Sequence, residues 1–168
     1  MMGVDELLLN AMLSVVEPKS CCYLAGPITT SRQLLLGEDP AVLEARNRED
    51  LAKQARCLRE TLGCPVVNPG LLIVPGWSGS AYGNFFIGAM ESLCFEVRFM
   101  PGWEYSIGAS KEYVHALTTG LPCLNIDGSP LTRSRAISLL GDARSAYRSV
   151  DPRRSDKLTE RIYALEVK

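Results

Sequence analysis

Short hydrophobic runs, each cut off by proline or glycine and each followed by a helical stripe, recur through this chain and restrict what it can fold into. Cys21-Cys22-Tyr23-Leu24-Ala25 stops at Gly26-Pro27, and Cys64-Pro65-Val66-Val67 stops at Asn68-Pro69-Gly70. Glu96 to Met100 stops at Pro101-Gly102, and Pro122 to Ile126 stops at Asp127-Gly128. Between them, Leu51, Ala55, Leu58 and Leu62 fall on one helical face that ends at Gly63. Phe85 to Leu93 reads as a second helix and Gly108 to Thr119 as a third, closed by Gly120. Strands alternating with helices at this spacing predict an α/β chain with a parallel sheet of about 4–5 strands and right-handed crossovers.

The flanks are helical. Residues 4–16 predict an amphipathic helix packed on the domain or on a second subunit, since the run has no basic start, no cleavage site and too few apolar residues to span a bilayer. Residues 29–39 read as a loop, after which Asp39-Pro40 supplies an N-cap and first helical position. Residues 70–82, rich in Gly, Ser and Pro and carrying Trp77 and Tyr82, predict an ordered loop over a site. Beyond the core at about 20–128 comes a helical C-terminal tail, 129–168. Helices are expected at 131–140 and 156–165, joined by a turn at Asp151-Pro152-Arg153-Arg154. The 168 residues fit one domain.

A formal net charge of −1 leaves no basic footprint for a nucleic-acid polymer, so a small molecule is the expected partner. The six cysteines show no paired metal-ligand spacing and read as buried free thiols of a cytoplasmic protein. His115 is the only histidine, so no histidine-based metal cluster is expected. A Walker-type lysine loop and the dinucleotide fingerprint are absent, and neither metal nor cofactor is expected.

The stretch Pro101 to Glu112 concentrates the chemistry. A strand, a tight turn and a helix start occur there in succession, the place where open α/β sheets put ligands. Backbone N–H groups and the positive end of the helix dipole suit an anion such as phosphate. Ser106 either caps the helix or donates to that anion; Gly26 and Gly108 serve as turn glycines and permit close approach of a ligand. Glu112 is a carboxylate near the same helix start. Tyr23, near the end of its strand, either belongs to the core or orients a catalytic carboxylate. The loops 26–31, 68–82 and 101–112 are expected to converge at the carboxyl ends of the strands.

Tyr23-Leu24-Ala25-Gly26-Pro27, then Val67-Asn68-Pro69, then Pro101-Gly102-Trp103, Ser106, Gly108-Ala109 and Glu112, with Gly120-x-Pro122 behind, form an ordered set. Over about residues 20–128 this set resembles the nucleoside 2-deoxyribosyltransferase-like superfamily, its phage and bacterial members most of all. The resemblance implies a flavodoxin/Rossmann-like three-layer sandwich, a homodimer or larger oligomer, and cleavage of the N-glycosidic bond of a nucleoside or nucleoside 5′-monophosphate. It implies Glu112 as the nucleophile at C1′ of the sugar and Tyr23 as the residue that orients it. A glycosyl-enzyme ester would then pass to water or to a second base, as in retaining glycosidases. Gly26, Pro27, Asn68, Asn84, Trp103, Ser106 and Gly108 become substrate-binding candidates. Ser106 stands where the transferases carry an aspartate, as in relatives that hydrolyse monophosphates, and a hydroxyl there favours a 5′-phosphate that a carboxylate would repel.

The set departs from the family at the base side. The aspartate that handles the leaving base would fall near Ile87, with Asn84 and Glu91 the nearest polar residues, and Phe95 replaces a second acid. Leaving-group protonation typically contributes about 10²–10⁴-fold. An alternative is therefore a non-catalytic nucleotide-binding or sensor domain on the same scaffold. A phosphoribohydrolase of the cytokinin-activating type fits less well, because Trp103 and Ser106 do not match its Gly-Gly-x-Gly-Thr turn. Arg133, Ser134 and Arg135 are either a solvated helix face or residues that complete a neighbouring subunit's site.

Overall fold

Tyr23 pairs with Val67 on one side and Val97 on the other, which places its strand inside the sheet. The structure is a computed structural model that describes residues 3–167, the side chain of Leu34 excepted. Its sheet has the order β2-β1-β3-β4, with every pair parallel: β1 (Cys21–Ala25), β2 (Val66–Val67), β3 (Cys94–Phe99) and β4 (Cys123–Asn125). The expected α/β sandwich is what forms. Successive side chains of β1 divide between two cores, Cys21, Tyr23 and Ala25 on one face and Cys22 and Leu24 on the other. The second face is covered by α3 (Pro40–Leu62) through Leu51, Ala55 and Leu58. The first and larger core takes in α4 (Gly79–Leu93), α5 (Ile107–Thr118), α6 (Arg133–Tyr147) and α7 (Pro152–Glu166).

Caps fix most helix ends. Asp39 Oδ1 accepts from the amides of Ala41 at 2.9 Å and Val42 at 3.1 Å, and Gly63, at φ 65°, ends α3 in the left-handed region. The loop expected at 70–82 is shorter than its composition suggests. Ser78 Oγ accepts from Ala81 N at 3.2 Å, so α4 begins at Gly79 and carries Tyr82 on its first turns. A short helix, α2 (Arg32–Leu35), interrupts the expected loop at 29–39.

The C-terminal helices are part of the core rather than an appended tail. Ala136, Leu140, Ala143 and Tyr147 of α6, with Leu158, Ile162 and Leu165 of α7, are buried in the main cluster. The turn expected at Asp151–Arg154 is the first turn of α7, because the Asp151 side chain caps the amide of Arg154. The N-terminal helix, α1 (Val4–Leu13), lies on α4 at Gly88, where a Cβ would stand 2.7 Å from Leu9 Cδ2. Among the described residues no helix is long and apolar enough to cross a membrane. All six cysteines are free, but burial holds for four of them only: Cys57 is exposed and Cys64 half-buried.

β1 leads outward through α3 to β2, and β3 lies on its other side, so the connections diverge between β1 and β3. The carboxyl ends of these two strands form the crevice in which such sheets hold ligands.

Candidate active site

The Tyr23 side chain leaves β1 on the α4–α5 face and is fully buried, edge-on to Phe86 with ring centroids 6.4 Å apart. Its phenol donates to Glu112 Oε1 at 2.8 Å. Burial pushes the Glu112 carboxyl up to about 7, opposed by the Tyr23 hydrogen bond and by the nearby Lys111 ammonium. Burial, then the neighbouring Glu112 charge, holds the Tyr23 phenol well above its ordinary value, so it remains a donor. The pair is a carboxyl poised near neutrality with one oxygen fixed.

The turn before α5 is anchored at several points. The amide of Met100 donates to Ala25 O at 2.9 Å, and Gly102 turns the chain at φ 85°. A single 3-10 turn, Trp103–Tyr105, follows. Trp103 is buried, stacked on Tyr113 at 5.0 Å and tilted against Phe99 at 5.1 Å. The Tyr147 phenol donates to the carbonyl of Tyr105 at 2.9 Å. These contacts fix Ser106, whose Oγ accepts from Ala109 N at 3.2 Å as the N-cap of α5. The amides of Ile107 and Gly108, first in the helix, have no intrahelical acceptor. A Cβ at Gly108 would meet nothing nearer than Ser106 Oγ at 3.7 Å, so this stretch of backbone faces open space.

That space is a cavity of about 480 Å³. Ser106, Gly108 and Glu112 line its α5 side, Gly79, Tyr82, Gly83 and Phe86 its α4 side, and Gly26, Ile28, Thr29 and Thr30 the loop after β1. The α4 wall is aromatic. Tyr82 stacks on Phe86 at 6.4 Å and meets Trp77 edge-on at 5.1 Å, and its hydroxyl is held by the amide and carbonyl of Val74. Arg48 closes another edge while bound to Gly70 O at 2.6 Å and to Glu44. Arg154 and Lys157 of α7 complete the lining.

Of the residues expected from sequence, Gly26, Ser106, Gly108 and Glu112 line this cavity, and Tyr23 stands behind it, reaching the site through its bond to Glu112. Pro27, Asn68, Asn84 and Trp103 do not line it. Pro27 faces a second cavity with Arg32, Glu104 and Asp142. Asn68 is buried and structural, its Oδ1 accepting from Gly70 N at 2.9 Å to start a 3-10 turn. Asn84 is exposed on α4, and Trp103 is a core residue of the kind that a Pro-Gly-Trp turn alone does not reveal. Ile87 packs into the main core, and Glu91 is exposed with its Oε1 2.9 Å from His115 Nε2. Neither lines the cavity, where Glu112 is the one carboxyl among the described residues.

Sequence reasoning missed Arg48, Phe86, Arg154 and Lys157, and it placed the 26–31 loop at the site without singling out Thr29 and Thr30. Adjacent threonines directly after Gly26-Pro27-Ile28 were a readable signal; the cations reach the site only through helix packing. The described residues hold no cluster of metal-ligating side chains. Comparison with protein-family models, with curated proteins and with solved structures finds no match.

Proposed function

We propose that the cavity binds a nucleoside 5′-monophosphate and that Glu112 cleaves its N-glycosidic bond. One observation carries the reading: a carboxyl held by a buried phenol, on the helix whose N-terminal amides and Ser106 hydroxyl face the same open cavity. The three parts of a nucleotide have matching surroundings. Ser106 and the first amides of α5 suit the phosphate, Glu112 the anomeric carbon, and the Tyr82–Phe86 wall the base. Ser106 and Glu112 are six residues apart, about 9 Å along the axis. Because helical side chains lean toward the N-terminus, that gap narrows to the span of a phosphorylated sugar.

In this mechanism a carboxylate oxygen of Glu112 attacks C1′ as the C1′–N bond breaks, and the bonding pair leaves on the base nitrogen. Tyr23 fixes Oε1, so the other oxygen is the one free to attack. Water, or a second base, then displaces the sugar from Glu112. The departing base takes its proton from solvent, because no second carboxyl lines the cavity among the described residues. Turnover is therefore slow, and bases that leave readily are favoured.

That same observation favours a second reading, a nucleotide-binding domain that does not turn over. Incubation with a panel of ribo- and deoxyribonucleoside monophosphates, followed by chromatography for free base, separates the two. The glycosidase reading expects base release that Glu112→Ala abolishes. Tight binding with no release, unchanged in Glu112→Gln, would leave the binding domain in its place.

A further inference from the structure

Three cations line the cavity, and they differ in what already holds them. Arg48 pairs with Glu44 at 2.7 Å and ties down Gly70 O. Arg154 Nε lies 3.1 Å from Asp151 Oδ2, with its guanidinium over the Tyr147 ring at 5.6 Å. Lys157, one turn further along α7, is exposed and, among the described residues, makes no ion pair or hydrogen bond. It is thus an uncompensated positive charge on a cavity wall whose own carboxyl is Glu112.

The position of α7 follows from a short chain of contacts. Arg154 covers Tyr147, Tyr147 donates to the carbonyl of Tyr105, and Tyr105 precedes Ser106. These contacts tie the Arg154 turn of α7 to the turn that carries Ser106, and Lys157 lines the same cavity. Ser106, 92% buried, accepts a bond from Ala109 and has no acceptor for its own hydroxyl proton among the described residues. Two free helix amides and one hydroxyl can orient a phosphate, but they carry no full charge against its two negative ones. An ammonium on a flexible stem supplies that charge without requiring a rigid geometry.

We infer that α7 of the same chain forms the cationic wall for the ligand's phosphate, with Lys157 as the contact that separates phosphorylated from unphosphorylated ligands. Arg154 adds a second charge while keeping its structural pair with Asp151. The inference rests on the proposal that the cavity takes a phosphate-bearing nucleotide. Its consequence is that the phosphate end is completed in cis, by a helix far along the chain from the Ser106 turn.

The test is calorimetric titration of native protein, K157Q and K157R with the common nucleoside 5′-monophosphates and the matching nucleosides. Lys157 is exposed and unbonded, so both variants are expected to keep the native melting temperature. K157Q should weaken the tightest monophosphate by about 10–100-fold, leave the nucleoside unchanged, and bind inorganic phosphate less well. K157R should restore most of the loss. An unchanged ratio of nucleoside to monophosphate affinity in K157Q overturns the inference. Monophosphate binding without base release overturns the glycosidase reading alone, and the K157Q ratio still decides this one. If the native protein binds no monophosphate, both fall.

Discussion

Tyr23 and Glu112, 89 residues apart in the chain, meet through one 2.8 Å hydrogen bond from a fully buried phenol on a central strand to a carboxyl on α5. The bond works against burial. Desolvation raises the Glu112 carboxyl to about 7, and the Tyr23 donor favours the charged form that a nucleophile requires. The phenol thus sets both which oxygen is free and how much of the carboxylate exists at neutral pH.

Replacing Tyr23 by Phe removes the donor and leaves the desolvation, so the Glu112 carboxyl moves further up. The acid limb of kcat/KM for base release, expected near pH 7 in the native protein, should shift to higher pH. At pH 7 the variant is expected to lose about tenfold or more, since a charge-assisted hydrogen bond is worth about 1.5–3 kcal/mol. Much of that loss should return at pH 9. A uniform loss with an unshifted acid limb would mean that Tyr23 only fills space.

The raised carboxyl also makes folding pH-dependent, with a definite sign. The ordinary value of 4.5 represents the unfolded chain and about 7 the native state, so the native state binds more protons between them. This contribution to stability is greatest below pH 4.5, declines as pH rises to about 7, and is constant above that. Glu112 is only half-buried on the cavity wall, and solvent screening there limits the effect to about 1–3 kcal/mol. Glu112→Gln, which mimics the neutral form, should raise the melting temperature at pH 8 and leave it nearly unchanged at pH 4.5. Equal shifts at both pH values in thermal unfolding monitored by circular dichroism would contradict the assigned environment.

The strands and the helices between them were legible because each segment carries its own period and its own stop. Gly63 and Asp39-Pro40 mark α3 in the sequence as they do in space. The start of α4 was not legible. Gly79-Ser80-Ala81-Tyr82-Gly83-Asn84 has poor helix propensity, and the turn is held by aromatic contacts of Tyr82 with Trp77 and Phe86 that only the fold creates. Ser106, Gly108 and Glu112 could be read together because they share one helix and its cap. Arg154 and Lys157 could not, because α7 reaches the cavity only by packing beside α5 and α6. Trp103 shows the opposite failure: a motif residue next to the site turned its ring onto Tyr113 and into the core.

Ser106 combines two roles that one pair of substitutions separates. An aspartate can keep the N-cap bond to Ala109, so Ser106→Asp should melt close to the native protein. Its charge would face the phosphate, and monophosphates should weaken by about 10–100-fold while nucleosides hold. Ser106→Ala should lose about 1 kcal/mol of stability with the cap. Calorimetric titration beside thermal melts reads both effects. Equal weakening of phosphorylated and free ligands in the aspartate variant would remove Ser106 from the phosphate site.

Helix α6, which sequence placed outside the core, is packed within it. Tyr147 is fully buried, and its phenol donates to the carbonyl of Tyr105, which shares its peptide group with the Ser106 amide. Tyr147→Phe keeps the ring, its edge contact with Tyr105 at 6.1 Å and its place under Arg154, and deletes only the donor. A buried carbonyl left unpaired costs about 1–3 kcal/mol, visible as a lower urea midpoint with an unchanged m-value. The turn that positions Ser106 and the first amides of α5 also loses an anchor. Monophosphate affinity is therefore expected to fall by a factor of a few, with nucleoside affinity preserved. Were stability to drop with both affinities intact, Tyr147 would be a core residue with no hold on the site. If neither changed, the bond to Tyr105 would carry no weight in the native protein.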